Sequence, residues 1–202
     1  MNRRLGILIS GRGSNLQAII EAIAERRLDA TIAVVVSNRA DAAGLKLAHQ
    51  VGIETLCLDH RGHSSRADYD RILVKELRAR DVGLVCLAGF MRLLSQEFVE
   101  AFPNAILNVH PSLLPAFPGL EGQRQAWRCG VKIAGATVHI VTAELDAGPI
   151  VLQAAVQVKD DDTVEALATR ILVEEHRIYT EAIDIMLSGK WTVNERRFIR
   201  ND

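Results

Sequence analysis

The feature that most constrains the fold is an alternation of short apolar runs with segments of helical period over the first half of the chain. The apolar runs are LGILI (5–9), ATIAVVVS (30–37), IETLCL (53–58), VGLVCLA (82–88) and AILNV (105–109). Strands that are apolar on both faces and separated by crossover helices predict a parallel sheet with helices on both sides. Such sheets bind ligands at the carboxyl ends of their strands.

The segments between the runs are predicted to be helices. They are 14–27, 42–50 and 66–80. The apolar residues of the first segment recur at helical spacing and form one face: Leu16, Ile19, Ile20 and Ile23.

The pattern changes after residue 131. Two long strand-like runs, 131–142 and 149–158, are joined by the short segment AELDAG and predict an antiparallel pair added to the sheet. A long helix is expected over 163–189, with Thr163 as N-cap and Gly189 as its end. The predicted class is therefore α/β and Rossmann-like, with a mostly parallel sheet, a C-terminal antiparallel addition and a long C-terminal helix.

Length and charge limit the possible functions. A chain of 202 residues that is 49% apolar suits one domain, 1–202, with a sizeable core. A net charge of −1 gives no electrostatic reason to bind nucleic acid or an acidic membrane. No apolar run approaches the roughly 18 residues of a membrane span, and the first is too short for a signal peptide. We therefore expect a soluble, cytoplasmic protein.

The cysteines favour structural thiols in a reducing compartment. Cys57 and Cys86 lie within apolar runs and are expected to be buried, while Cys129 stands apart. No Cys or His spacing indicates zinc, and we expect no metal site.

A glycine-containing turn joins the first strand to the first helix. Gly11 and Gly13 allow tight backbone geometry, and free N–H groups at the helix start favour an anion. A dinucleotide site is disfavoured, because the third glycine is missing and the second strand ends in VVVSN without an acidic residue. A phosphate monoester fits better. The alternative is a tight turn capped by Ser14 or Asn15.

Two polar side chains interrupt the fifth apolar run at its end. Asn108 and His110 are two residues apart and point to the same side of a strand, which Pro111 ends. An amide and an imidazole can together donate to an oxygen that gains negative charge, and a histidine can also move a proton near neutral pH. The alternative is an ordinary hydrogen-bonded histidine beside a loop.

The segment AELDAGPI (143–150) offers a carboxylate partner, Asp146. Near His110 this carboxylate would favour the imidazolium and orient the ring. His139 has the same strand alternation and could line the same cavity. The alternative for Asp146 is ordinary turn chemistry beside glycine and proline.

Six segments in chain order carry a resemblance to a known family. They are SGRGSNLQAI, VVVSNRADAAGL, VCLAGFMRLLS, ILNVHPSLLPAFPG, ATVHIVTAELDAGPIVLQ and EEHRIY. Together they resemble the formyltransferases that use 10-formyltetrahydrofolate. The SGRGSNLQAI start is more particular to the branch that formylates 5-phosphoribosylglycinamide in purine (IMP) biosynthesis. The resemblance implies a monomer or homodimer whose half 1–100 holds the phosphate and whose half 101–202 holds the folate and the catalytic groups.

The resemblance also implies roles for individual residues. The catalytic residues would be Asn108, His110 and Asp146, with His139 in support. The ribonucleotide substrate would be bound by Gly13, Ser14, Asn15 and Glu175. The folate, acting as formyl donor without a metal, would contact Arg66, Met91, Arg92, Leu93, Leu94, Ala143 and Glu144.

The chain departs from the family in the loop after the prolines. Relatives often carry histidines where EGQRQAW (121–127) has none, and Ala116 stands where a basic residue can occur. Three other functions remain open: a hydrolase of the same folate, a formyltransferase with another amine acceptor, and a binding module without activity. The hydrolase is less expected, because such relatives usually carry a regulatory domain before this fold and the first strand here begins by residue 5.

Overall fold

A computed structural model describes residues 2–201 of the chain, and within them lie nine strands and six α-helices. The strands are β1 (Arg4–Ile9), β2 (Thr31–Ser37), β3 (Thr55–Cys57), β4 (Leu84–Leu87), β5 (Ile106–His110), β6 (Ile133–Ile140), β7 (Ile150–Gln157), β8 (Trp191–Asn194) and β9 (Arg197–Arg200). The helices are α1 (Ser14–Ala24), α2 (Ala43–Gln50), α3 (Arg66–Ala79), α4 (Gln96–Ala101), α5 (Gly122–Cys129) and α6 (Val164–Ser188), and a 3₁₀ turn spans His60–Gly62.

One sheet runs through the molecule in the order β3-β2-β1-β4-β5-β6-β7-β9-β8. The first five strands of this order pair in parallel, whereas β6 is antiparallel to both β5 and β7. The predicted parallel sheet with an antiparallel addition is therefore confirmed. The strand order reverses between β1 and β4, which is where sheets of this kind open a ligand crevice.

Helices cover both faces of this sheet. The contacts join α1, α2, α5 and α6 into one group and α3 with α4 into another. The strands between the two groups are apolar on both sides, and every residue of β4 is buried. Burial on both faces explains why the sequence shows continuous apolar runs rather than strict alternation.

The long C-terminal helix has the predicted ends. The Thr163 side chain accepts a hydrogen bond from the Ala166 N–H and caps α6. At its other end Gly189 adopts the left-handed conformation, with φ of 68°.

Other expectations were wrong in detail. Cys57 is exposed, because β3 is the edge strand of the sheet and pairs only with β2, whereas Cys86 is buried as expected. Helix α1 ends at Ala24 rather than at 27, since Arg26 takes a left-handed φ of 60°. The short helices α4 and α5 and the hairpin β8–β9 were not predicted.

Candidate active site

The turn after β1 leaves backbone N–H groups available at the start of α1. Gly13 is the N-cap, with φ of 82°, and no side chain from the described residues caps the helix. The interpretation of Ser14 or Asn15 as a cap is therefore wrong. A Cβ at Gly13 would lie 2.8 Å from the Cα of Gly44, so the position needs glycine for space as well as for conformation. Uncapped N–H groups at a helix start suit a bound anion.

A buried amide and carboxylate adjoin this turn. Asn15 donates from Nδ2 to Oε2 of Glu175 over 3.1 Å, and both side chains are buried. Burial raises the pKa of Glu175 to about 6, opposed by the hydrogen bond from Asn15. The Oδ1 atom of Asn15 has no hydrogen-bond partner among residues 2–201. A buried oxygen without a partner marks a position where a ligand N–H or O–H could bind.

The end of β5 places Asn108 beside His139. The two residues face each other in the β5–β6 register, and Asn108 Nδ2 lies 3.2 Å from His139 Nε2. The other ring nitrogen, Nδ1, lies 3.1 Å from the carbonyl oxygen of Ile140. The expectation that His139 lines the same cavity as the Asn-x-His pair agrees with this geometry.

Asp146 lies between the two histidines. Its Oδ2 is 3.4 Å from His110 Nδ1, and its Oδ1 is 3.7 Å from His139 Nε2. Oδ2 also accepts a 2.8 Å hydrogen bond from the Gly119 N–H. Burial alone would raise the pKa of Asp146, but the nearby His139 ring, the Gly119 N–H and the charge of His110 together hold it below its ordinary value. The carboxylate is therefore kept ionised against two imidazoles.

The second nitrogen of His110 contacts the proline-rich loop. Nε2 donates to the carbonyl oxygen of Phe117 over 2.9 Å, so both ring nitrogens face acceptors. The doubly protonated ring is the form that can donate to both. The sequence could not reveal this contact, because a backbone carbonyl has no residue-type signal. The positive φ of Phe117, 56°, marks its unusual backbone.

A second network holds the proline-rich loop against the sheet. Thr137 donates to the carbonyl of Ser112 and accepts from the Leu114 N–H, over 2.7 and 3.0 Å. Gln153 on β7 donates to the Leu114 carbonyl over 2.9 Å. None of these loop contacts was predicted, although Thr137 alternates with His139 on β6 and could have been suspected from that spacing.

Exposed apolar side chains surround the same edge of the sheet. Met91 and Leu93, in the segment after β4, are 67% and 54% exposed, while Leu94 is buried. Leu120 and Leu145 are also exposed, on the loops that carry Gly119 and Asp146. Single exposed apolar residues are ordinary, but several on loops at one sheet edge indicate a site for an apolar ring.

The other residues predicted for the folate lie on helix α3 (Arg66), in the segment after β4 (Arg92) and in the loop after β6 (Ala143 and Glu144). Arg92 stacks over the ring of Tyr69 at 4.9 Å, and Arg66 is exposed at the start of α3, one turn before Tyr69. Ala143 and Glu144 are exposed between β6 and Asp146.

The described part of the chain lacks two kinds of feature. Between residues 2 and 201, no three or more His, Cys, Asp and Glu side chains are grouped so that they could hold a metal ion. None of the helices in this range has the length and apolar character needed to cross a membrane.

Comparison with known proteins agrees with the motifs. The family model described as formyl transferase matches residues 3–183. The phosphoribosylglycinamide formyltransferase of Escherichia coli strain K12 is 45% identical over 94% of this chain and 89% of its own length. The human trifunctional purine biosynthetic protein adenosine-3 is 43% identical over 95% of this chain. The chain spans only 19% of the length of that human protein.

The fold comparison agrees with the sequence comparison. The crystal structure of glycinamide ribonucleotide transformylase 1 from Symbiobacterium toebii superposes with a TM-score of 0.97 and 54% sequence identity. The match covers all of this chain and 95% of that chain. With the family model, the relatives and the fold in agreement, this chain belongs to the formyl transferase family.

Proposed function

We propose that the protein transfers the formyl group of 10-formyltetrahydrofolate to the amino group of 5-phosphoribosylglycinamide. The observation that carries the proposal is the position of Asp146 between His110 and His139, with Asn108 at the same end of β5. The E. coli and S. toebii relatives are named for this reaction or for its acceptor. The protein would then supply a step of purine biosynthesis in the cytoplasm, as a monomer or homodimer.

The start of α1 would bind the phosphate of the acceptor. The N–H groups of 13–15 are uncapped and lie at the positive end of the helix dipole. Glu175 and the free Oδ1 of Asn15 would accept hydrogen bonds from polar groups of the rest of the acceptor. This arrangement would fix the attacking amine relative to the end of β5.

The segment 91–94 and the loop 143–146 would bind the folate. Met91, Leu93 and Leu145 offer apolar surface for a ring, and their backbone groups offer hydrogen bonds to its polar edge. The cations Arg66 and Arg92 would attract the folate carboxylates. These residue types fit a cosubstrate with one aromatic and one anionic end. The folate supplies the formyl group.

The polar groups at the end of β5 would act on the transferred group. As the amine attacks the formyl carbon, negative charge develops on the formyl oxygen, and Asn108 and His110 would donate to it. The tetrahedral intermediate then collapses, and the bond between the formyl carbon and the folate nitrogen breaks as that nitrogen takes up a proton. The Nε2 proton of His110 is held by the Phe117 carbonyl, so the formyl oxygen must share or replace that acceptor. Asp146 would orient His110 and keep it protonated, and would help a water move a proton from the amine to the folate nitrogen.

The proposal is tested by a two-substrate assay of three variants. We expect Asn108→Ala and His110→Ala each to lower kcat by about 10²–10³, the usual effect of losing one oxyanion donor. Asp146→Asn should also lower kcat, because it removes the carboxylate that orients His110. His49→Ala, which changes an exposed histidine on α2, is the control and should be unchanged. Near wild-type turnover in the three folded variants would rule out these roles.

The same assay separates the proposal from its alternatives. Formate released at an equal rate without the glycinamide substrate would support a hydrolase. Formylation of a different amine would change the acceptor only. Binding of both substrates without any product would support a binding module.

A further inference from the structure

The segment 91–95 is the second part of the connection 88–95 between β4 and α4, and Leu94 is its buried apolar side chain. Met91 and Leu93 point to solvent, so burial of these side chains cannot fix the backbone between them. Yet this backbone would bind the folate in the function proposed above. A backbone that must present hydrogen-bonding groups in a fixed geometry needs other restraints.

Ser10 provides one restraint at the first residue of the segment. This buried serine directly follows β1, and its Oγ accepts a 2.8 Å hydrogen bond from the Met91 N–H. The same hydroxyl donates to Oδ1 of buried Asn38 over 2.6 Å, and Asn38 Nδ2 lies 3.4 Å from His60 Nδ1. The hydroxyl proton is thus committed to Asn38, which leaves an oxygen lone pair for Met91. The link crosses from β1 to the chain after β4, the point where the strand order reverses.

Asp70 provides a second restraint at the last residue. Its side chain is buried on α3, with 1% of the residue exposed, and Oδ2 accepts a 2.6 Å hydrogen bond from the Ser95 N–H. The guanidinium of Arg92 stacks on the ring of the neighbouring Tyr69, with 4.9 Å between Cζ and the ring centre. Burying a carboxyl group costs free energy, and the hydrogen bond to the Ser95 N–H offsets part of that cost.

Ser37 shows what a serine at the end of a neighbouring strand does when it makes only local hydrogen bonds. Ser37 is a buried serine at the end of β2, next to β1 in the sheet. Among residues 2–201, its hydroxyl forms hydrogen bonds only with the backbone nitrogen and oxygen of Arg39, two residues away, over 3.0 and 2.9 Å. Ser10 instead reaches a backbone 81 residues away. The two serines therefore form a matched pair for an experiment.

We propose that Ser10 and Asp70 are positioning residues that hold the two ends of the segment 91–95 in the geometry that binds folate. Neither side chain would touch the substrates. That the ligand is folate rests on the proposed function. The restraint on the segment rests on the two hydrogen bonds alone.

The restraint is measured first without any ligand, by amide hydrogen exchange of the intact protein. Ser10→Ala should speed exchange in a peptide covering 89–95 by about tenfold, the effect of losing one buried hydrogen bond, while Ser37→Ala should leave this peptide unchanged. Equal protection in Ser10→Ala and wild type would overturn the proposal whether or not the protein is an enzyme.

Substrate affinities then test the consequence. Ser10→Ala should weaken binding of tetrahydrofolate by about tenfold, as measured by titration calorimetry, with binding of 5-phosphoribosylglycinamide unchanged. Asp70→Asn keeps an acceptor oxygen and should bind folate like wild type, whereas Asp70→Leu should bind it weakly. Equal loss of affinity for both substrates would indicate general destabilisation and overturn the proposal. A wild-type protein that binds folate but forms no product would refute only the proposed reaction.

Discussion

Glu175 combines deep burial with a position beside the start of α1. Its pKa is raised from 4.5 to about 6 by burial, so the folded state favours the protonated carboxyl. The folded protein therefore binds more protons than the unfolded chain between these values, and the free energy of unfolding falls as the pH rises through this window. Above pH 6 the buried charge of Glu175 lowers the free energy of unfolding.

We predict that Glu175→Gln stabilises the protein above pH 6. The shift corresponds to roughly 2 kcal/mol in the free energy of unfolding, because one pKa unit is worth about 1.4 kcal/mol. Urea unfolding at pH 4.5, 6 and 7.5 should show the difference growing with pH, together with a KM for 5-phosphoribosylglycinamide raised about tenfold. A difference that is constant over this range would contradict the pKa assignment.

At the scale of elements, helix α5 begins directly against His110, the proposed catalytic histidine. A Cβ added at Gly122 would lie 3.2 Å from His110 Nε2 and 3.2 Å from the Pro111 carbonyl. This is closer than most Cβ contacts, so the helix start or the ring must move by a few tenths of an ångström. Small displacements of catalytic groups are expensive, since about 1 Å can cost 10² in rate.

We predict that Gly122→Ala lowers kcat by about tenfold with little change in the thermal midpoint. Arg128→Ala, at an exposed position near the other end of α5, is the control and should keep full activity. Unchanged turnover in Gly122→Ala would mean that the His110 ring is free to shift without loss of function.

The elements differed in how far the sequence could predict them. The central strands and α6 were predictable because burial on both faces and capping leave clear patterns, as at β4 and Thr163. Helices α4 and α5 are six and eight residues long, too short for a reliable period. Hairpin β8–β9 carries several charged residues, so it lacks the apolar pattern of a core strand.

The site was predictable only where its residues are close together in the sequence. Asn108 and His110 could be paired because residues two apart share one side of a strand. The sequence offered Asp146 as a partner for His110 and placed His139 at the same cavity, but the proximity of the three side chains depends on sheet pairing and could not be shown from spacing. Tyr179, whose hydroxyl donates toward the carbonyls of Leu87 and Leu107, lies in the quoted EEHRIY motif, yet its role becomes visible only in three dimensions.

At the scale of the whole molecule, the functional groups and the C-terminal hairpin lie in different parts of one sheet. The proposed catalytic residues lie on β5 and β6 and on the loop after β6, whereas β8 and β9 form the edge of the sheet beyond β7. Strand β9 pairs with β7 at Ile150 and Arg197, and Ile150 is the β7 partner of His139. The hairpin is held by the stacking of Trp191 on Phe198 and by a hydrogen bond from Trp191 to the Met186 carbonyl. The match to the family model ends at residue 183, before this hairpin. We infer that the hairpin covers the end of α6 and takes no part in the site.

We therefore predict that deletion of 190–202 separates stability from activity. The shortened chain keeps Gly189, which ends α6, but loses the partly buried Trp191 and Phe198. Its free energy of unfolding should therefore be lower by about 3 kcal/mol. Trp191→Ala in the full chain should lose part of the same stability. At 15 °C, where both variants should remain folded by circular dichroism, kcat/KM for the two substrates should stay within about twofold of wild type, because none of the proposed site residues lies in the hairpin. A folded deletion variant with tenfold lower kcat/KM would show instead that the edge of the sheet supports the site through α6 and Glu175.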